Sequence, residues 1–263
     1  MLQVILAIIV NCSLSHLSFS PDSQFLLGET MKRQAIVWEV KTGKEVFSSK
    51  KIEGHNFAIS NSAKQLFYCK EDENTNLFFY FYDIKAGKVI KQFKCPLLGF
   101  APICQIFSSD GKTVYLGGNQ KGTGQKTIFS LNVNTGKIIK LYKTDKNDIF
   151  VATSLSLSKD GRRLYSGTNG TMVEIWDTKK GEKIGEMEAE VDAWQVQLAA
   201  NGQELFVGDK NQLYLYDLST REFVAEYTYL KGKKVAVFAL APNGKLFSCM
   251  EENGKIFLFN LPK

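Results

Sequence analysis

A short polar turn recurs six times along the chain, and its period restricts the possible folds more than any other feature. The copies are Phe19-Ser20-Pro21-Asp22-Ser23, Ile59-Ser60-Asn61-Ser62-Ala63, Phe107-Ser108-Ser109-Asp110-Gly111, Leu157-Ser158-Lys159-Asp160-Gly161, Leu198-Ala199-Ala200-Asn201-Gly202 and Leu240-Ala241-Pro242-Asn243-Gly244. Each joins two apolar segments. Asp-Gly and Asn-Gly accept the positive φ of a tight hairpin, so each copy predicts strand, turn, strand. The copy at Ser62-Ala63 has the weakest turn chemistry. A second anchor follows each turn: an alternating strand ending in Trp38-Glu39, Tyr82-Asp83, Leu131-Asn132, Trp176-Asp177, Tyr216-Asp217 or Phe259-Asn260. A Gly turn comes next, as in Thr42-Gly43-Lys44, Ala86-Gly87-Lys88 and Thr135-Gly136-Lys137, and then a further apolar strand. Each unit is therefore four strands, a to d, joined by short turns.

The turn anchors fall at 22, 62, 110, 160, 201 and 243, with spacings between 40 and 50 residues. One small four-stranded sheet cannot bury both faces, but sheets stacked around an axis bury each other, so this period predicts an all-β β-propeller. The 263 residues are read as a single domain with units at roughly 14–50, 56–94, 103–143, 153–189, 193–229 and 236–263 plus 2–10. Residues 244–263 supply strands b and c of the last unit and then stop, while Gln3 to Val10 reads as an orphan d strand. The two ends together make one more period. A six-bladed ring completed by the N-terminal strand follows, with a seven-bladed or partner-completed ring as the alternative. Residues 1–12 also admit a signal-peptide reading, but they lack a basic start and an Ala-x-Ala-like cleavage site. The apolar run Val4 to Val10 is too short to span a bilayer.

Trp176-Asp177, Ser20-Pro21-Asp22 and Gly54-His55 resemble the WD40 repeat, and the likeness in period extends over nearly the whole chain. The chain is also similar to looser propeller repeats of YVTN-type surface and quinoprotein-like families. Only one unit has the Trp-Asp pair and only one has Gly-His, so the buried hydrogen-bonded tetrad of well-kept WD40 blades cannot be assembled in most units. The WD40 resemblance implies a non-catalytic scaffold for protein–protein interaction, in the cytoplasm or elsewhere inside the cell. A secreted or periplasmic binding module is the alternative if residues 1–12 are cleaved.

Candidate chemistry is sparse. The two histidines, His16 and His55, are too separated for a catalytic metal site, and no cofactor motif is present. His55 follows Gly54 and His16 begins a strand, so both read as structural. Gly117 to Thr127 superficially resembles a phosphate loop. Its Lys126 is preceded by Gln125 instead of Gly, and a strand follows where a helix is needed. The loop therefore reads as a b–c hairpin. Asp83, Asp177 and Asp217 read as caps of the c–d turns, and the periodic aromatics at 38, 82, 176, 216 and 259 as core, not as a nucleic-acid stacking platform. The five cysteines are too scattered for a disulfide framework, although Cys95 and Cys104 flank one loop and could bridge in an oxidising compartment.

Function is expected in the loops. The net charge of +6 is unevenly spread: Ile84 to Lys143 holds ten lysines against one acid, Asp110. The b–c and d–a loops share one face of a propeller, and the long spacings place added length there, at 71–76, 94–102, 119–127 and 143–153. Lys32, Arg33, Lys94, Lys121, Lys126 and Lys143 are the candidate partner-binding residues, predicting a protein partner with an acidic surface. Asp209, Glu251 and Glu252 occupy the opposite part of that face. The competing class is a propeller enzyme of the lactonase or quinoprotein type, which needs ionisable groups at the starts of the a strands. Segments 57–59, 104–106, 155–157 and 195–197 supply few.

Overall fold

The computed structural model describes residues 4–10, 12–49, 52–144, 150–199, 201–208, 212–228, 235–252 and 254–261. Gln3, Ala200, Asp209 and residues 145–149 of the loop expected at 143–153 lie outside these residues.

Strand β1 (Val4–Ile9) opens the chain. Blade 1 follows as β2 (Leu14–Phe19), β3 (Phe25–Thr30), β4 (Ala35–Glu39) and β5 (Glu45–Ser48). Blade 2 is β6 (His55–Ile59), β7 (Gln65–Glu71), β8 (Leu77–Asp83) and β9 (Lys88–Lys94). Blade 3 is β10 (Phe100–Phe107), β11 (Thr113–Gln120), β12 (Lys126–Asn132) and β13 (Ile138–Leu141). Blade 4 is β14 (Ala152–Leu157), β15 (Arg163–Thr168), β16 (Met172–Asp177) and β17 (Glu182–Glu188). Blade 5 is β18 (Gln195–Leu198), β19 (Glu204–Gly208), β20 (Gln212–Asp217) and β21 (Phe223–Thr228). Blade 6 is β22 (Val235–Leu240), β23 (Leu246–Glu251) and β24 (Lys255–Asn260). Its fourth strand is β1, antiparallel to β24 with Ala7 opposite Phe257. The fold is thus a six-bladed β-propeller closed by its N-terminal strand, the first of the two readings of the period across the ends.

Burial follows the blade interfaces. The six apolar clusters each join two neighbouring blades, including one between blades 6 and 1 where Ile8, Val10 and Met250 pack with Leu17 and Trp38. Of the strand-end aromatics, Trp38, Trp176, Tyr216 and Phe259 are buried and Tyr82 is half-buried against the cluster of blades 1 and 2, which assigns their periodicity to packing between blades. Burial is richest between blades 2 and 3, where Phe67, Phe79, Phe81, Phe100, Phe107 and Phe129 share one cluster.

The a–b turns adopt the positive φ that their composition predicts, from 59° at Ser23 to 71° at Gly202. The weakest copy forms a single 3-10 turn at Asn61–Ala63, with Ser62 and Ala63 at φ 57° and 49° where no glycine is available. Two expectations need correction. The loop placed at 119–127 shrinks to 121–125, and the one at 94–102 to 95–99, because β11 runs to Gln120 and β10 begins at Phe100. Part of the added length is strand, with a bulge between Pro102 and Cys104. The cysteines do not bridge: Cys95 belongs to the cluster between blades 2 and 3 and Cys104 to the one between blades 3 and 4.

Candidate functional site

The two rims of the ring are built differently. The a–b and c–d turns form one rim. There the Ser20, Ser108 and Ser158 hydroxyls donate to Asp22, Asp110 and Asp160 at 2.5–2.7 Å. Asp177 accepts from the backbone N–H groups of Lys179 and Lys180 at 2.9 and 2.7 Å, and Asp217 from Ser219 and Thr220 at 2.7 and 3.0 Å. These hydrogen bonds hold the carboxyls of Asp110, Asp160, Asp177 and Asp217 below the usual range. The c–d acids are therefore turn caps, as their positions suggested.

The b–c and d–a loops form the opposite rim. Among the described residues, every large apolar side chain exposed in a loop is here: Met31 at 69%, Leu98 at 87%, Phe150 at 39% and Trp194 at 48%. The remaining exposed apolar residues lie on the outer strands. Beside Leu98 is a cleft of about 160 Å³ with apolar lining from Leu77, Cys95, Leu97 and Phe100, and with Glu71, Lys94 and Lys121 around it.

The candidate basic residues separate into three groups. Lys32, Arg33 and Lys94 are exposed on this rim. Lys121 and Lys143 are also at the surface, but each meets a carboxylate, Glu71 at 2.6 Å and Glu182 at 2.8 Å. Lys126 requires correction, because it is buried and cannot present its charge to a partner. Its side chain is 1% exposed and its Nζ lies 2.8 Å from Oε1 of Glu174, itself 5% exposed, across the interface of blades 3 and 4. Glu174 Oε2 accepts from the Ser166 hydroxyl at 3.1 Å, and Ser166 Oγ accepts the Trp176 indole N–H at 2.9 Å. In the one unit with a Trp-Asp pair, a Trp–Ser–Glu–Lys chain therefore ties one blade to the blade before it. Sequence reasoning missed Ser166 and Glu174. The available signal was a carboxylate between Val173 and Ile175, in a strand whose neighbours read as core. Glu251, expected on the acidic part of the rim, is likewise buried at the end of β23, whereas Glu252 is exposed.

The inner strands use their polar side chains on one another. Asn56 Nδ2 donates to the carbonyl of Pro102 at 2.7 Å, Gln105 Nε2 to that of Phe57 at 2.9 Å and Gln195 Nε2 to that of Phe238 at 2.7 Å. Ser154 and Ser156 accept from Val196 and Leu198 at 2.9 and 3.1 Å. Burial lowers the pKa of His16 to about 4, leaving a neutral imidazole, and burial followed by the Arg33 charge lowers that of His55. Glu29, opposite His16 in the β2–β3 pairing, is raised to about 7 by burial despite hydrogen bonds from Phe57 and Asn56. Among the described residues, no group of three or more His, Cys, Asp and Glu side chains could hold a metal ion, and no helix is long and apolar enough to cross a membrane.

No family model matches the chain. A segment of 62 residues, 24% of the chain, is 32% identical to the anaphase-promoting complex subunit cdc20 of Dictyostelium discoideum and covers 12% of that protein. The chain therefore aligns with only a small part of this relative. The repeat motifs, the ring of six four-stranded sheets and this local match support a WD40-like β-propeller.

Proposed function

We propose that the protein is a non-catalytic interaction scaffold that receives a protein partner on its b–c/d–a loop rim. The observation that carries this reading is the placement of Met31, Leu98, Phe150 and Trp194, which among the described loop residues leave apolar area in water on that rim alone. Exposed apolar groups rimmed by polar ones mark binding surfaces, and large side chains in the middle of an interface supply most of its energy. Lys32, Arg33 and Lys94 add positive charge to the same rim and would steer a partner with acidic patches. The resemblance to a subunit of a multiprotein complex supports a partner that is a protein. Amide and hydroxyl side chains on the inner strands, already bonded to neighbouring backbone, favour a scaffold over a propeller enzyme.

The test is capture of partners from an extract of the source cells with two variants. Leu98→Asp/Trp194→Asp should lose the partners that wild type retains. Lys112→Glu/Lys159→Glu, on the opposite rim, should keep them. Equal recovery by both, with melting unchanged, would refute the proposal.

A further inference from the structure

We propose that the outer walls of blades 2 and 3 form a second docking surface, distinct from the loop rim, for an extended acidic segment of a partner protein. Segments 84–94 and 133–144, which carry the outer strands β9 and β13, hold seven lysines and no Asp or Glu. The walls that follow are different: 178–190 includes Glu182, Glu186, Glu188 and Glu190, and 218–228 includes Glu222 and Glu226. Of the seven lysines, Lys143 pairs with Glu182, whereas no ion pair to Lys85, Lys88, Lys91, Lys137 or Lys140 is found among the described residues. The two walls are continuous, because the Phe93 ring lies directly against Gly136 and Lys91 Nζ donates to Asn134 Oδ1 at 2.6 Å.

Between the lysines the same walls expose Val89, Ile90, Ile139 and Leu141. β9 and β13 are also edge strands, pairing only with β8 and β12, so their outer backbone N–H and C=O groups are available to an added strand. These features select one occupant. Lysines on both copies would repel a second molecule of this chain packed wall to like wall, and its glutamate-bearing walls are a poor complement because Lys179, Lys180, Lys183 and Arg221 nearly balance their acids. An anionic lipid surface would meet the lysines but offers no regular row of donors and acceptors to pair with the strand edge. An extended polypeptide satisfies the edge, meets the lysines with carboxylates and covers the aliphatic side chains.

The experiment titrates a short synthetic peptide of alternating glutamate and valine into the isotope-labelled full chain, read by amide chemical shifts and fluorescence anisotropy. Shifts should concentrate in 88–94 and 138–141, and a lysine–valine peptide should not bind. The affinity should fall about tenfold or more in Lys88→Glu/Lys91→Glu/Lys140→Glu. Lys88→Gln/Lys91→Gln/Lys140→Gln, which adds no opposite charge, should give a smaller loss with melting unchanged. Shifts spread evenly over all outer strands, unchanged affinity in both variants, or binding to phosphatidylserine vesicles without binding to the peptide would each overturn the proposal.

Discussion

The two rims share a scaffold and a repeat, yet they treat polar groups in opposite ways. On the turn rim, the c–d carboxylates are stabilised as anions by backbone donors, and four of the six a–b turns place glycine at the positive φ. Toward the loop rim, Lys126 and Glu174 form a buried ion pair and Glu29 is an acid whose burial outweighs its hydrogen bonds. Apolar side chains stand in water above them. A region that satisfies every local rule is organised for stability, and one that violates several is where function is expected. Substitutions on the turn rim should thus cost stability, and those at the surface of the loop rim should cost binding.

The largest effect should come from ring closure, on which both rims depend. Deleting residues 1–10 removes Ile8 and Val10 from the interface of blades 6 and 1 and bares the edge of β24. Two buried aliphatic side chains contribute about 3–6 kcal/mol, so calorimetry should show the transition lowered by about 10 °C or more. A soluble shortened protein melting within a few degrees of full length would remove β1 from the core of the account.

The buried ion pair comes next. Glu174→Ala takes the carboxylate from a buried ammonium and should destabilise by about 3–5 kcal/mol. Lys126→Met/Glu174→Leu should recover most of this in denaturant melts. If the double variant is as unstable as the single one, the pair is more than a desolvation problem.

Gly136→Ala probes the turn rim at a c–d turn. The residue has φ +67° and faces the Phe93 ring, so a Cβ adds backbone strain and overpacking. A loss of about 1–3 kcal/mol is expected. An unaffected melting temperature would mean that this rim is less tightly built than described.

Glu29 gives a pH signature. An acid whose folded pKa is raised binds its proton more tightly folded than unfolded, so stability falls as pH rises from 4.5 to about 7. Glu29→Gln, which still accepts from the Phe57 N–H, should flatten that part of the curve. The turn acids work in the opposite sense, lending stability above the ordinary carboxylate range and losing it as pH drops. A stability curve in which Glu29→Gln and wild type run parallel would contradict this assignment. The smallest effect belongs to Leu98→Ser and Trp194→Ser, which should each change stability by less than about 0.5 kcal/mol.

The sequence disclosed most where chemistry is local. Asp160-Gly161 and Asn243-Gly244 specify a hairpin from their own φ preferences, and the period across the ends identifies β1 as the missing strand of blade 6 without tertiary information. What it concealed depends on contacts between blades. Lys126 looked like a loop cation because its burial is decided by Glu174, which lies 48 residues away in the next blade. Lys121 and Lys143 looked free for the same reason, each meeting a glutamate from a neighbouring blade. The extra residues of blade 3 could lengthen either a loop or a strand, and pairing of β10 with β11 around a bulge settles that choice.

The most direct test of the contrast is amide hydrogen exchange on the protein bound to a partner recovered by capture. Protection gained on binding should fall on loops 95–99, 121–125, 169–171 and 189–194. Turns 108–112, 158–162 and 178–181 should exchange as they do in the free protein. Protection concentrated on those turns, with the loops unchanged, would contradict the account.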